Sequence, residues 1–498
     1  MVARGRSERA ALLSPGTPTH RTRTLALAAA LLGLAGCATN PVSGRREFSL
    51  VSPAQELQIG REGYPAVLKE YGVYQDPQLQ AYVDSVGHRL AKVSHLPDLE
   101  WHFTLLDDPT VNAFAMPGGY IYITRGIIAH LNSEAQLAGV LGHEIGHVTA
   151  RHTAQRITQQ QIAGLGLGVA GIVSEGFRRY SDAAQSALGI IFLKYSRDDE
   201  TQADQLGVEY ATKAGYDPRE IPSTYAVLKR VSERSGQRMP AFLSTHPDPG
   251  DREQRTSELA RQAAAGKTGL LIRNKAHVQR LEGVVFGDDP RHGYFEGGHF
   301  YHPELGFEMV FPSGWKTQNG HEAVAAVEPD QRAGMQLTLA EAGEQSPSEY
   351  VASLERGGKV ATARGEPETI GGFPAWAGRL LVDLQGGGQG TFAGAFVRKA
   401  DRMFEIVGRS TQPGDVLEGA ILASARSFRG LADARRLAAT PDRVHVVTLS
   451  ESGTFGEVVP RLGPQALSLE DTEILNNAEG DEPVSAGQVL KIVRPGKK

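Results

Sequence analysis

The chain has 498 residues, 40% of them hydrophobic and 22% charged, with 52 basic against 57 acidic side chains and a formal net charge of −5. At roughly 100 to 200 residues per domain this length suggests two to four domains, and the composition excludes a collagen-like or wholly disordered chain. The near balance of charge gives no electrostatic reason to expect nucleic acid as a partner, and a single cysteine excludes any internal disulfide.

That cysteine closes the N-terminal pattern. Arg4, Arg6, Arg9, Arg21 and Arg23 precede an apolar run from Leu25 to Ala35, which leads into Leu34-Ala35-Gly36-Cys37. A run of about 11 residues is too short for a bilayer core of about 30 Å but suits a signal peptide. The pattern resembles a bacterial lipoprotein signal. The resemblance implies that residues 1–36 are removed and that Cys37 becomes a lipidated first residue. Ala38 in the next position, rather than Asp, implies the outer membrane of a Gram-negative cell. The alternative is a buried free cysteine after a short anchor.

Further along, Ser52-Pro53-Ala54-Gln55 supplies an N-cap, a first-turn proline and a glutamine three residues on, so a helix starts there. The spacing of Leu79, Tyr82, Val83, Val86 and Leu90 predicts a second helix, and Trp101 to Leu106 and Tyr120 to Thr124 read as strands. Ser133-Glu134-Ala135-Gln136 repeats the capping-box pattern and opens a helix through Leu137, Val140, Leu141 and Val148. Ile162 to Val173 is apolar and glycine-rich but too short to cross a membrane, and reads as a close-packed or mobile helix, with lipid contact the other option.

Turn-rich Gly287 to Gly298, or small and polar Ala263 to Lys267, marks a boundary. Beyond it Phe307 to Phe311, Ala323 to Val327, Met335 to Leu339, Ala375 to Asp383, Thr391 to Arg398 and Met403 to Arg409 read as strands. Helices fit after Ser346-Pro347-Ser348-Glu349 and over Val416 to Phe428. From Arg443 the order is strand, helix, helix, strand. This last stretch resembles a LysM module, which implies a grip on peptidoglycan; Ser452-Gly453-Thr454 departs from the usual Gly-Asp-Thr turn, and a structural cap is the alternative.

The chemistry sits in His143-Glu144-Ile145-Gly146-His147. Residues four apart share a helix face, so both imidazoles can converge on one cation with Glu144 beside them as a base. A catalytic zinc needs a third protein ligand. Glu200, in Glu200-Thr201-Gln202-Ala203-Asp204, is the candidate. Asp204, one turn on, can accept from the outer nitrogen of a ligand imidazole. The rival reading is an acidic, solvated helix end with Asp198 and Asp199.

His143 to His152 (HEIGHVTARH), Tyr195 to Asp204 (YSRDDETQAD), Asn112 to Thr124 (NAFAMPGGYIYIT) and Ser244-Thr245-His246-Pro247 occur in one order. Together they resemble the HtpX/BepA/CAAX-prenyl-protease family of zinc endopeptidases, over about Asn40 to Arg261. Within it the chain is similar to the periplasmic lipoprotein, BepA-like branch, but has no 34-residue helical repeat after this segment. The resemblance implies a mostly helical peptidase domain with a small sheet, one Zn²⁺ on His143, His147 and Glu200, and Glu144 as general base acting on an acidified water. It also implies that Asn112, Ala113, Phe114 and Ala115 belong to an edge strand that binds substrate main chain, although a plain strand-to-strand turn fits the same residues.

His246 falls near the metal by the same resemblance. It can donate to the oxyanion of the transition state, which is the role the need for an open zinc position favours, or occupy that position and displace water. A surface histidine beginning a turn is the third option.

The expected architecture is α+β and multidomain: signal peptide 1–36, zinc metallopeptidase domain 37–285, antiparallel α+β domain 296–430, and a small βααβ LysM-like module 441–495. The expected function is envelope metalloendopeptidase with zinc as cofactor, clearing misfolded or misassembled envelope proteins from the periplasmic face of the outer membrane. A non-proteolytic assembly factor or peptidoglycan-tethered adaptor is the alternative.

Overall fold

The structure, a computed structural model, describes residues 37–166, 189–191, 193–234, 241–246, 249–384 and 388–497. The expected signal peptide and most of the Ile162 to Val173 segment lie outside the described residues.

A short hairpin, β1 (Cys37–Thr39) and β2 (Arg46–Phe48), pairs Cys37 with Phe48. The Ser52 hydroxyl then accepts from the Gln55 N–H while Gln55 Oε1 accepts from the Ser52 N–H, and α1 (Pro53–Tyr71) starts where the capping box places it. Helix α2 (Pro77–Ala91) buries Leu79, Tyr82, Val83, Val86 and Leu90. Three strands follow: β3 (His102–Leu106), β4 (Ala113–Met116) and β5 (Tyr120–Thr124). Their order is β3-β5-β4, with β3 parallel and β4 antiparallel to β5, so β4 is an edge of this sheet.

After α3 (Arg125–His130) comes α4 (Glu134–Thr149), buried along its whole length. The Ser133 hydroxyl accepts from the Gln136 N–H as expected, but Gln136 does not complete the box. Its Oε1 instead accepts from Asn132 N–H at 2.6 Å, and its amide donates to Ser223 Oγ at 2.7 Å. The neighbouring Asn132 N–H takes the side-chain oxygen that the box needs, and distant Ser223 holds the amide.

The helix α5 (His152–Gly166) is offset from α4 by Arg151, whose φ of +59° breaks the helical path. Then α6 (Arg197–Lys213) packs closely on α4. The contact depends on glycine: a Cβ on Gly207 would lie 3.0 Å from the His143 backbone nitrogen, and one on Gly146 only 3.2 Å from Ala203 Cα. Helices α7 (Ile221–Arg234), α8 (Ala241–Thr245), α9 (Pro249–Ala264) and α10 (Asn274–Arg280) complete this unit.

The middle of the chain contains a seven-stranded antiparallel sheet. Its strands are β9 (Lys316–Asn319), β10 (Ala323–Val327), β11 (Ala333–Ala340), β12 (Thr362–Ile370), β13 (Phe373–Asp383), β14 (Gln389–Lys399) and β15 (Arg402–Ser410), in the order β12-β13-β14-β15-β11-β10-β9. Before it, β6 (Tyr294–Glu296), β7 (His299–His302) and β8 (Phe307–Val310) form a small sheet with Arg429 and Gly430. One face of the large sheet packs on Phe307, Phe428 and Ile421 from α12 (Val416–Arg426), and the other on Val351 from α11 (Pro347–Arg356). Strand β12 carries no strand signal in the sequence. It contains Gly365 and Pro367, and Arg364 to Pro367 are all exposed, so it lacks alternation and survives as an edge strand, where a proline costs no ladder bond.

The C-terminal stretch pairs β16 (Arg443–Thr448) antiparallel with β17 (Val489–Arg494), with short α13 (Phe455–Val458) and α14 (Leu469–Asn476) between them. It is sewn into the N-terminal unit. Val444 joins that unit's core, Gly283 N–H donates to Val444 O at 2.9 Å, and Arg230 Nη1 donates to Ala478 O at 3.0 Å. Fully buried Lys491 donates to Ala129 O and Leu131 O, both at 2.8 Å, capping the end of α3.

Candidate metal centre

Helix α4 presents His143 and His147 on one face, and α6 brings Glu200 against them because the two helices meet through glycine. His143 Nε2 lies 3.0 Å from His147 Nε2 and 3.5 Å from Glu200 Oε2; His147 Nε2 lies 3.6 Å from Glu200 Oε1. His246, at the end of α8, joins them: its Nδ1 is 3.3 Å from His143 Nε2 and 2.9 Å from Glu200 Oε1. These four side chains are buried, each with a donor atom within 4.8 Å of the others. Two imidazole nitrogens on one tetrahedral zinc at 2.0–2.1 Å stand about 3.3 Å apart, so the spacing suits a shared cation.

Unsatisfied atoms point the same way. Both carboxylate oxygens of Glu144 and His246 Nε2 are buried without a hydrogen-bond partner. Orphaned buried acceptors facing converging imidazoles are costly unless a cation and water complete them. Glu144 Oε1 sits 3.8 Å from His246 Nε2, and burial pushes the Glu144 carboxyl above its ordinary pKa, toward the range a general base uses. Burial would raise Glu200 as well, but His246 and Arg252 outweigh it and hold the carboxyl at about 2. Glu200 is an anion despite its burial. Burial also holds His147 well below its usual pKa, in the neutral form that ligates metal.

Behind this cluster stands a second layer. Asp204 Oδ1 is 3.1 Å from His143 Nδ1, one turn beyond Glu200 on α6. It also takes Arg252 Nη2 at 2.6 Å, the Tyr225 hydroxyl at 2.8 Å and, on Oδ2, Arg255 Nη2 at 3.0 Å. Burial would raise the Asp204 carboxyl; Arg252 and His143 prevail and hold it far below the carboxylate range. Arg252 Nη1 reaches Glu200 Oε2 at 2.7 Å, so one buried guanidinium spans both carboxylates. His147 has different neighbours: its Nδ1 is 2.9 Å from His152 Nδ1, and Tyr195 stacks on its ring with centroids 3.8 Å apart.

Ala113, Phe114 and Ala115 lie on β4 beside α4, with Asn112 directly before the strand and its Oδ1 buried without a partner. Asp198 and Asp199 stay near the exposed start of α6, while Glu200 and Asp204 turn inward. Cys37 stands in β1, remote in sequence from this cluster.

Sequence reasoning missed Arg252, Tyr225, Gln202 and the role of His152. Arg252 follows His246 by six residues on another helix, and only the fold reveals it as the counter-charge for Glu200 and Asp204. His152 is five residues beyond His147, off the face of a continuous helix; the Arg151 break swings it back.

A buried His-Glu-x-x-His helix with a glutamate from a second helix defines a metallopeptidase domain. Residues 77–260 match the model of Peptidase family M48 and form an M48 peptidase domain. Over 228 residues the chain is 31% identical to the mitochondrial metalloendopeptidase OMA1 of Schizosaccharomyces pombe, covering 44% of this chain and 65% of that one. Over 204 residues it is 33% identical to OMA1 of Arabidopsis thaliana, covering 41% and 39%. It is 28% identical over 222 residues to the beta-barrel assembly-enhancing protease of Escherichia coli K12, covering 43% and 45%. The chain thus spans from about two fifths to about two thirds of the length of these relatives.

Proposed function

We propose that this protein is a zinc-dependent metalloendopeptidase of the bacterial cell envelope that cleaves unfolded or misassembled polypeptides. The observation that carries the reading is the convergence of His143, His147 and Glu200 beside a Glu144 carboxylate with no other partner. When bound there, Zn²⁺ supplies a Lewis acid for the scissile carbonyl and makes water a nucleophile near neutral pH. Glu144 takes the proton from the attacking water and passes it to the leaving amine. Asp204 orients His143 through Nδ1, and Arg252 keeps Glu200 and Asp204 ionised together.

The place of β4 at the end of its sheet, among the described residues, supports main-chain recognition, in which an extended substrate adds as a strand and side-chain specificity is loose. Similarity to a beta-barrel assembly-enhancing protease supports envelope polypeptides as the substrate class. Lipidation of Cys37 and placement at the outer membrane belong to this proposal; exposed Phe48, the strand partner of Cys37, and exposed Leu50 beside it suit a lipid surface. The unit boundaries near residues 285–296 and 430–441 and a LysM-like role for the C-terminal βααβ unit are also part of this proposal.

Of the two roles open to His246, the 2.9 Å approach of its Nδ1 to Glu200 and 3.3 Å to His143 supports occupation of the fourth metal position at rest. His246→Ala is then expected to cleave faster than wild type; a loss of on the order of 10² in kcat would instead establish the oxyanion donor.

The test of the main reading is cleavage of unfolded casein by the purified full chain. Wild type is expected to cleave it and Glu144→Gln to retain zinc without cleaving. No cleavage by the zinc-loaded wild type would overturn the proposal in favour of a binding or assembly role, and equal cleavage by both would overturn the role of Glu144.

A further inference from the structure

The two imidazoles of the metal motif are held from behind by different chemistry. His143 Nδ1 faces the Asp204 carboxylate. His147 Nδ1 faces another imidazole nitrogen, His152 Nδ1, at 2.9 Å, and His152 Nε2 in turn lies 3.0 Å from Gln202 Oε1. His147 and His152 are both buried. Metal-ligating histidines usually donate their outer N–H to an oxygen acceptor. An imidazole nitrogen accepts only in one tautomer, so this contact needs something to set that tautomer.

Consider the two arrangements. If Gln202 accepts through Oε1, His152 carries its proton on Nε2, its Nδ1 has a free lone pair, and His147 donates Nδ1–H to it. His147 Nε2 is then left with the lone pair that faces His143, Glu200 and His246. If the amide were turned so that its NH₂ donated, both rings would reverse, and His147 Nε2 would carry a proton where the ligand lone pair belongs. A second acceptor on the same side, Asp199 Oδ1 at 4.0 Å from His152 Nε2, favours the first arrangement. Asp199 is itself tied to Arg156 and to the Ser196 N–H, which holds it in place.

Resting on the zinc reading above, we infer that Gln202 and His152 are positioning residues: a neutral relay that sets the tautomer of His147 and limits how strongly His147 donates to the metal. One ligand imidazole is backed by a charge and the other by an uncharged chain. The carboxylate-backed His143 is the stronger donor of the two, and replacing the Gln202 amide by a carboxylate would strengthen the second.

The inference makes opposite predictions for two substitutions at one position. In the full chain, zinc affinity is read by competition with a chromophoric chelator. Gln202→Leu removes the acceptor and is expected to weaken zinc binding about 10-fold, within the range for loss of an outer partner. Gln202→Glu keeps size and adds charge, and is expected to bind zinc more tightly than wild type. His152→Asn is expected to weaken binding up to about 100-fold; should that variant fail to fold, the Gln202 pair decides. ¹⁵N spectra of histidine-labelled protein should show His152 protonated on Nε2 and not on Nδ1. Unchanged affinity in both Gln202 variants, weakening in both, or the reverse His152 tautomer would overturn the relay. A wild-type chain that binds no zinc would instead overturn the zinc reading itself.

Discussion

The metal centre and the seven-stranded sheet are equally dry and are built on opposite principles. Around the centre His143, Glu144, His147, His152, Glu200, Asp204, His246 and Arg252 are all at most 2% exposed, so imidazoles, carboxylates and a guanidinium are packed where water cannot solvate them. The sheet encloses Phe300, Phe307, Phe404 and Phe428 on one face and Phe396 with Trp376 on the other. Apolar burial stabilises the sheet directly. Buried charges at the centre cost desolvation that only mutual pairing and a bound cation offset. The comparison teaches that the centre is maintained against stability, which is the mark of a working site.

The sharpest break between the two regions is chemical. Glu144→Gln alters no charge pair within hydrogen-bond distance, so its stability should stay near wild type while the cleavage rate falls by about 10² to 10⁴, as measured on unfolded casein. Next is Arg252. Its replacement by Met leaves Glu200 and Asp204 buried without their common counter-charge, and should cost about 3 to 5 kcal/mol in urea denaturation of the zinc-free protein. Added zinc should recover part of that loss by mass action.

Phe404→Ala in the sheet should cost a similar 3 to 5 kcal/mol, roughly, through lost transfer energy and a cavity, yet leave zinc affinity unchanged. If this substitution altered metal affinity, the two regions would not be energetically separate.

The smallest effect concerns the seam between the N-terminal unit and the C-terminal stretch, where Lys491 and His277 are both fully buried. Burial, and then the neighbouring Lys491, push the His277 pKa down to about 3. The unfolded chain therefore binds a proton near its ordinary pKa that the folded chain refuses, and stability falls as pH drops below about 6.5. Relative to pH 7, the loss at pH 5 should be about 2 kcal/mol. Urea midpoints at the two pH values, compared between wild type and His277→Gln, measure it; the difference that remains in the variant is expected from His130 and His302, which burial pushes down to about 4 and about 3.

Much of this was legible in sequence because local rules decided it. Ser52 with Gln55 set the start of α1, the His-Glu-x-x-His spacing placed two imidazoles on one face with a carboxylate beside them, and alternation revealed β10, β11 and β13 to β15. What escaped depended on distant contacts. Gln136 is held by distant Ser223 rather than closing its box, exposed Arg364 to Pro367 leave β12 without alternation, and Arg252 acquires meaning only when α9 lies against α6. His152 escaped for a backbone reason, since one residue at positive φ undoes the helical register that would have turned it away.

The account stands most directly on X-ray absorption at the zinc edge, recorded on wild type and Glu200→Ala. It predicts one zinc per wild-type chain, with nitrogen and oxygen ligands at about 2.0–2.2 Å and an imidazole signature, and loss of most of that zinc when Glu200 is removed. Zinc retained at full occupancy with an unchanged first shell in Glu200→Ala would contradict it.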